Sequence, residues 1–390
     1  EAGYKIAWTS YLSFIIGRRE WLNPYLITMP GRLFLQRFIR EAVKAGCQYL
    51  LVEVTSEGIK QHRHRFIDFD IAVFTNLAPE HLEAHGGFEN YKKTKGKLFR
   101  GLASSFRKKL GRHPFKKMLI VNLDDKNSRY FLNFEADRKI GFSVKKARSL
   151  ADQELHAAAY EIREDGIDFV LNGVKFHLPL VGRFNLFNAM AAIAVGISQG
   201  VDLKIARSAL AKVKIIPGRM EEIDEGQNLR IFVDLAHTPD SFRYAFEAVS
   251  ALRIPETKII SVFGAAGGGR DRWKRPVLGK IAARYSDFIV LANEDPYDEN
   301  PAQIIFEIEN GVKKEQFPDS HLFEIPDRRE GIRKGLELAD EGDIVLILGK
   351  GTEATYIVGR KKYPWDDRRV VREELKRLKE SNFVKTSIGK

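Results

Sequence analysis

The chain has a single cysteine, Cys47, among 390 residues. One thiol cannot close an internal disulfide, so the fold rests on its core and a reducing cytoplasm is the expected location. Cys47 enters an apolar run, AGCQYLLVEV, with no base beside it, and reads as a buried structural thiol. Long hydrophobic runs are also missing. None approaches the ~20 residues that a membrane helix needs, and the start lacks the charged, apolar and small-residue order of a signal peptide. Internal repeats and low-complexity stretches are absent, which excludes solenoids and disordered tails as the main architecture.

What is present fits a globular enzyme: 44% hydrophobic and 30% charged residues, at a length that suits two domains better than one core. The net charge of +12 raises the question of nucleic acid, since clustered lysine and arginine neutralise phosphates. Clusters occur at Arg107 to Arg112, at Lys116 and Lys117, and at Arg360 to Lys362. No helix-turn-helix, aromatic RNA-binding strand or zinc spacing accompanies them, so they read as solvated faces and nucleic acid is not an expected partner.

Along the chain, EAGYKIAWTS reads as the tail of a helix running into a strand. Leu33 to Ala45 carries apolar residues at helical spacing; CQYLLVEV, DIAVFTNL and KMLIVNL read as strands. This alternation predicts a mostly parallel sheet covered on both faces. Ala158 to Leu180 predicts a hairpin turning at Asn172 and Gly173, and an alanine-rich helix follows from Leu186 to Gln199. The pattern resets near Ile216 to Gly218. Beyond it, strands at Leu229 to Leu235, Lys258 to Phe263, Phe288 to Ala292 and Ile344 to Leu348 alternate with helices, a doubly wound unit. The charged Lys376 to Lys390 end reads as a frayed helix and tail.

The motifs that carry chemistry are GRFNLFNAMAAIA around Asn185 and Asn188, PGRMEE around Arg219, and FVDLAHTPDS around Asp234 and His237. Asn185 and Asn188 lie three apart, so both amides project from one helix face. With VEVTSEGIKQHRHRF, TNLAPEHLEAHG, FENYKKTKGKLF, FGAAGGGRDRWKRP and LGKGTE, the set resembles the Mur ligases, which join an amino acid to a growing peptide at the expense of ATP. Within that family it is most similar to the branch adding the third, diamino residue of the peptidoglycan stem.

The resemblance implies an α/β fold of two parts. Residues 1–216 would be the Mur ligase central ATPase-type domain, incomplete at its N-terminus, and 217–390 the C-terminal Rossmann-like doubly wound domain. The family's GxxGK[ST] phosphate loop is absent from this sequence, so the chain resembles a family member that begins inside the helix after that loop, and by itself should bind ATP poorly.

The resemblance also assigns roles. Asn185, Asn188, Arg219, Asp234 and His237 would handle ATP, with Arg219 stabilising charge as the γ-phosphoryl moves and Asp234 orienting the nucleotide. Glu53 and His81 would attend Mg2+, and Lys95 would be carbamylated and join them. That chemistry needs a neutral amine, whereas an ordinary lysine is deprotonated only about once in a few thousand at pH 7, so burial must lower its pKa. Thr28, Ser56, Gln61 and Arg63 would meet the UDP-N-acetylmuramyl dipeptide. Arg270, Glu294, Asp295, Pro296, Tyr297, Gly349 and Glu353 would meet the incoming diamino acid.

Several positions depart from the family pattern: Met29 replaces threonine, Glu57 histidine, Glu80 aspartate and Leu235 tyrosine. Tyr297 stands where diaminopimelate-using members have an arginine that clamps the distal carboxylate, so lysine or ornithine becomes an alternative donor. The implied reaction phosphorylates the D-glutamyl γ-carboxylate and lets the donor amine attack the acyl phosphate, in peptidoglycan biosynthesis by a cytoplasmic monomer. A folylpolyglutamate- or cyanophycin-type ligase, or an inactive binding fragment, are the alternatives.

Overall fold

The computed structural model describes residues 1–388 apart from 26, 111 and 146–148. The chain divides into two compact units. One comprises Glu1–Glu161, Gly166–Pro179 and Phe184–Lys214; the other comprises Ile162–Asp165, Leu180–Arg183 and Ile215–Lys390.

The first unit contains two sheets. Ile6–Thr9 pairs in parallel with Tyr49–Val52, while Ser13–Ile16 and Arg19–Leu22 extend the sheet as an antiparallel meander. One sequence expectation is corrected here: residues 1–5 are not helical. The meander's residues lack the apolar/polar alternation that marks a strand; Phe14, buried against Phe38 and Ala42 of helix Arg32–Lys44, fixes it from the tertiary side. Cys47 is half-buried and its thiol donates to the Ile6 carbonyl at 3.4 Å.

The second sheet of this unit runs in the order Val174–Leu178, Gly166–Leu171, Gln153–Arg163, Arg138–Ser143, Met118–Asn122, Ile71–Phe74. Its pairings are parallel from Ile71–Phe74 through to Gln153–Arg163, and the last two strands form the antiparallel hairpin over Asn172 and Gly173. Both turn residues have positive φ, 48° and 78°, as a tight hairpin between twisted strands requires. Met118–Asn122 is buried along its whole length, and Phe74, Phe99 and Phe131 pack beneath it. Lys117, expected on a solvated face, is instead wholly buried: its ammonium joins the Phe69 and Phe106 carbonyls at 2.6 and 2.9 Å and Asp70 at 3.2 Å. Three oxygen partners make that burial tolerable.

The second unit is a six-stranded sheet in the order Glu221–Glu222, Arg230–Asp234, Ile344–Leu348, Ile259–Phe263, Phe288–Leu291, Leu322–Glu324. All its pairings are parallel except that of the first strand. The central strands are continuous apolar runs because helices cover both faces. A small hairpin, Thr355–Val358 with Lys361–Pro364, follows the last long strand. The final helix, Asp367–Ile388, takes in residues 376–388 of the charged segment expected to be a frayed helix and tail, whose last two residues lie outside the described residues.

Candidate active site

In the first unit, polar side chains gather after the strands Tyr49–Val52 and Ile71–Phe74. Glu53 leaves its strand with its N–H on the Thr9 carbonyl at 3.2 Å and accepts from the Tyr11 N–H at 3.2 Å. Thr55 caps the helix Ser56–Lys60 by accepting from Gly58 N–H. Gln61 donates to Glu57 at 2.7 Å, and Arg63 donates to the Met29 carbonyl at 2.6 Å, tying the Thr28 segment to this helix. Ser56 is buried and lies 3.2 Å from His85 Nε2.

His81 occupies the left-handed region at φ 55°, at the start of helix Leu82–His85, with Nε2 3.5 Å from Glu80. Lys95 lies on helix Phe88–Ser104, its amine 5.3 Å from the Tyr91 ring centre. Desolvation holds this amine below the usual lysine range, against the opposing attraction of Glu80 and Glu53. Its neighbour Lys92 behaves differently, pairing with Glu89 at 2.8 Å. The geometry thus brings Glu53, Glu80, His81 and Lys95 into one region, with His85 adjoining. Among the described residues, no group of three or more His, Cys, Asp or Glu side chains could hold a metal by itself. A carbamate on Lys95 would add an oxygen donor, and the desolvation that lowers the pKa of this amine fits that modification. Asn185 and Asn188 share one helix face as expected, the Asn188 amide donating to Asn185 at 3.2 Å.

In the second unit, the turn holding Arg219 is locked against two strand ends. Gly218 has φ 60°, and a Cβ there would approach the Gly351 carbonyl carbon to 2.3 Å, so no other residue fits. Leu235 N–H donates to Gly218 and Gly349 N–H to Asp234, at 3.0 and 3.1 Å. Arg219 is thereby presented exposed at the tip, beside Asp234 electrostatically. The Asp234 carboxylate is buried and accepts from Met220 N–H and Ala236 N–H, each at 2.7 Å. Burial drives its pKa up and these bonds oppose that, so it organises the turns on both sides of the strand end. His237 Nδ1 lies 2.8 Å from the Leu235 carbonyl, and Lys274 donates to the His237 carbonyl at 2.8 Å.

The residues expected to meet the donor lie on the turns 264–270, 294–297 and 349–353. Gly267 N–H donates to the Asp295 carbonyl at 2.8 Å, and Glu299 N–H to the Pro296 carbonyl at 3.1 Å. The Tyr297 ring lies flat on Gly268, where an added Cβ would come within 2.6 Å of it. Arg270 is exposed, with its charge felt by the Tyr297 hydroxyl. Glu294 and Asp295 are both buried and both pushed to higher pKa by desolvation. Glu353 accepts from Lys350. The sequence reading passed over Lys350 and His85, although the central lysine of LGKGTE and the second histidine of HLEAH were available signals.

Two α/β units with charged side chains gathered at the carboxyl ends of parallel strands have the layout of a nucleotide-handling α/β enzyme. A family model described as the Mur ligase middle domain matches residues 4–196, and one described as the Mur ligase glutamate ligase domain matches residues 218–351. The UDP-N-acetylmuramoyl-L-alanyl-D-glutamate--2,6-diaminopimelate ligase of Geobacillus thermodenitrificans is 37% identical over 380 residues, covering 96% of this chain and 74% of that protein. A solved ligase of the same name superposes with a TM-score of 0.60 at 29% identity, covering 96% of this chain and 73% of that one. The Mycobacterium tuberculosis folylpolyglutamate synthase reaches a TM-score of 0.61 at 14% identity over 90% of this chain and 83% of its own, which is a likeness of fold alone. The chain belongs to the Mur ligase family.

Proposed function

We propose that the chain is an ATP-dependent ligase that adds a diamino acid to the D-glutamyl γ-carboxylate of UDP-N-acetylmuramyl-L-alanyl-D-glutamate. The observation that carries this reading is the 37% identity, over nearly the whole chain, with a ligase named for that reaction. Fold likeness does not discriminate, because the folylpolyglutamate synthase superposes as well. Cell-wall synthesis in the cytoplasm and a monomeric state follow as parts of the same proposal.

In this reading the first unit prepares the acceptor. Ser56 and Arg63, with Thr28 and Gln61, bind the muramyl dipeptide; Arg63 is already fixed by the Met29 carbonyl. Lys95, whose pKa desolvation lowers, would take up carbon dioxide, and the carbamate with Glu53 and His81 would hold magnesium. Bound there, magnesium supplies charge neutralisation for phosphoryl transfer. From the second unit Arg219 contributes positive charge at the transferring phosphoryl, and Asp234 and His237 shape the turn that presents it. Asn185 and Asn188 serve the nucleotide. Arg270, Glu294, Asp295, Pro296, Tyr297, Gly349 and Glu353 form the donor pocket, whose buried carboxylates suit an ammonium group.

The test is phosphate release from ATP by the chain extended upstream with a glycine-rich phosphate loop, with diaminopimelate, lysine and ornithine in parallel. Release should require both the dipeptide acceptor and one of the three amino acids. Release indifferent to the acceptor with all three donors overturns the assignment.

A further inference from the structure

One buried lysine has no part in the scheme so far. Lys350 follows strand Ile344–Leu348, and its side chain is wholly buried. Its ammonium donates to both Asp295 oxygens, at 2.9 and 2.9 Å, and also to Glu353. Asp295 additionally accepts from the Ile357 N–H at 2.9 Å. A buried cation answered by two carboxylates joins the turn 294–297 to the turn 349–353, because displacing either turn would leave buried charge unpaired.

Glu294, next in the chain, is equally buried, yet its Oε2 has no hydrogen-bond partner. That oxygen lies against Gly349, where an added Cβ would come within 2.6 Å. The charged groups around Glu294 are Lys274, His237, Glu353 and Lys350. Lys350 is committed to Asp295 and Glu353, and Lys274 donates to the His237 carbonyl. A buried carboxylate oxygen without a partner is an expensive arrangement unless a ligand supplies one.

We propose that Lys350 is a positioning residue of the amine-donor pocket: by holding Asp295 and Glu353 together, it leaves the Glu294 carboxylate to receive the ammonium of an amino-acid donor. This rests on the ligase reading above. Without Lys350, three carboxylates crowd one buried region, and the protons they take up to relieve their repulsion neutralise the group that should meet the donor.

The experiment is calorimetric titration of the chain with meso-diaminopimelate, L-lysine and L-ornithine, for the native sequence, Lys350→Met and the double variant Lys350→Met/Asp295→Asn, with the melting temperature of each. The native chain should bind at least one of these amino acids, and Lys350→Met should bind it roughly tenfold or more weakly, the scale of one lost hydrogen bond to a charged group. The double variant should recover the melting temperature, since an uncompensated carboxylate is gone, but not the affinity, since the Lys350 ammonium no longer holds Glu353. Native affinity in Lys350→Met, or recovery of both properties in the double variant, overturns the positioning role alone. No binding by the native chain overturns the donor reading and the role of Lys350 with it.

Discussion

Asp234 and Lys95 show how much chemistry a single desolvated group can organise. The Asp234 carboxylate satisfies two backbone N–H groups, on Met220 and Ala236, that would otherwise be buried without acceptors. Asp234→Ala should therefore destabilise the second unit by about 2–6 kcal/mol, at 1–3 kcal/mol per orphaned donor, measured by urea unfolding. A loss below roughly 0.5 kcal/mol would show that the turns do not depend on it. Lys95 makes a prediction about pH. Its folded pKa lies below the ordinary 10.5, so between the two values the unfolded chain binds a proton that the folded chain does not. Stability from this group is therefore least below the lowered value and rises with pH toward 10.5, and Lys95→Met should flatten that rise in a melting-temperature series. Under the proposed function Lys95→Ala should also abolish turnover, with partial rescue by small carboxylates; unchanged turnover would make Lys95 an ordinary helix residue. The positions of these residues were legible in the sequence through motif spacing. Their partners were not: that Asp234 would serve backbone donors, or that Lys350 would be buried, depends on which turns meet in three dimensions.

At the scale of elements, a wholly buried ion pair ties the start of the last helix to the rest of its unit. Arg328 donates to both oxygens of Asp367, at 2.8 and 2.6 Å, and to the Leu348 and Asn293 carbonyls, while Trp365 also donates to Asp367. Removing one partner leaves a buried charge, so Arg328→Met should lower stability by about 3–5 kcal/mol, whereas Arg328→Met/Asp367→Leu should lose less. Equal losses in a denaturant-unfolding cycle would contradict this. The four central strands of the second unit were readable because continuous apolar runs alternate with helical periodicity, and the Asn172–Gly173 hairpin was readable from turn chemistry; the edge strands Glu221–Glu222 and Leu322–Glu324 and the hairpin of Thr355–Val358 with Lys361–Pro364 were not. The antiparallel meander of Ser13–Ile16 and Arg19–Leu22 was not, since short strands without alternation are specified by what packs on them, here Phe14 in the aromatic cluster with Trp21, Phe34 and Phe38. Lys117 was misread for the same reason: a charge pair in sequence says nothing about the carbonyls that fold around one of its members.

For the molecule as a whole, each of the two units has its own gathering of charged groups at strand ends. The fold alone does not name the acceptor, since a folylpolyglutamate synthase superposes as well, and the acceptor reading rests on sequence likeness. No helix among the described residues is long and apolar enough to cross a membrane. The most direct test of the central claim is mass spectrometry of the acceptor after incubation of the upstream-extended chain with ATP, UDP-N-acetylmuramyl-L-alanyl-D-glutamate and a diamino acid. The account predicts an ATP-dependent gain equal to one diamino acid residue, with fragmentation placing it on the D-glutamyl γ-carboxylate. An acceptor unchanged in mass while ATP is consumed, or extension of a folate by glutamate in its place, would contradict it.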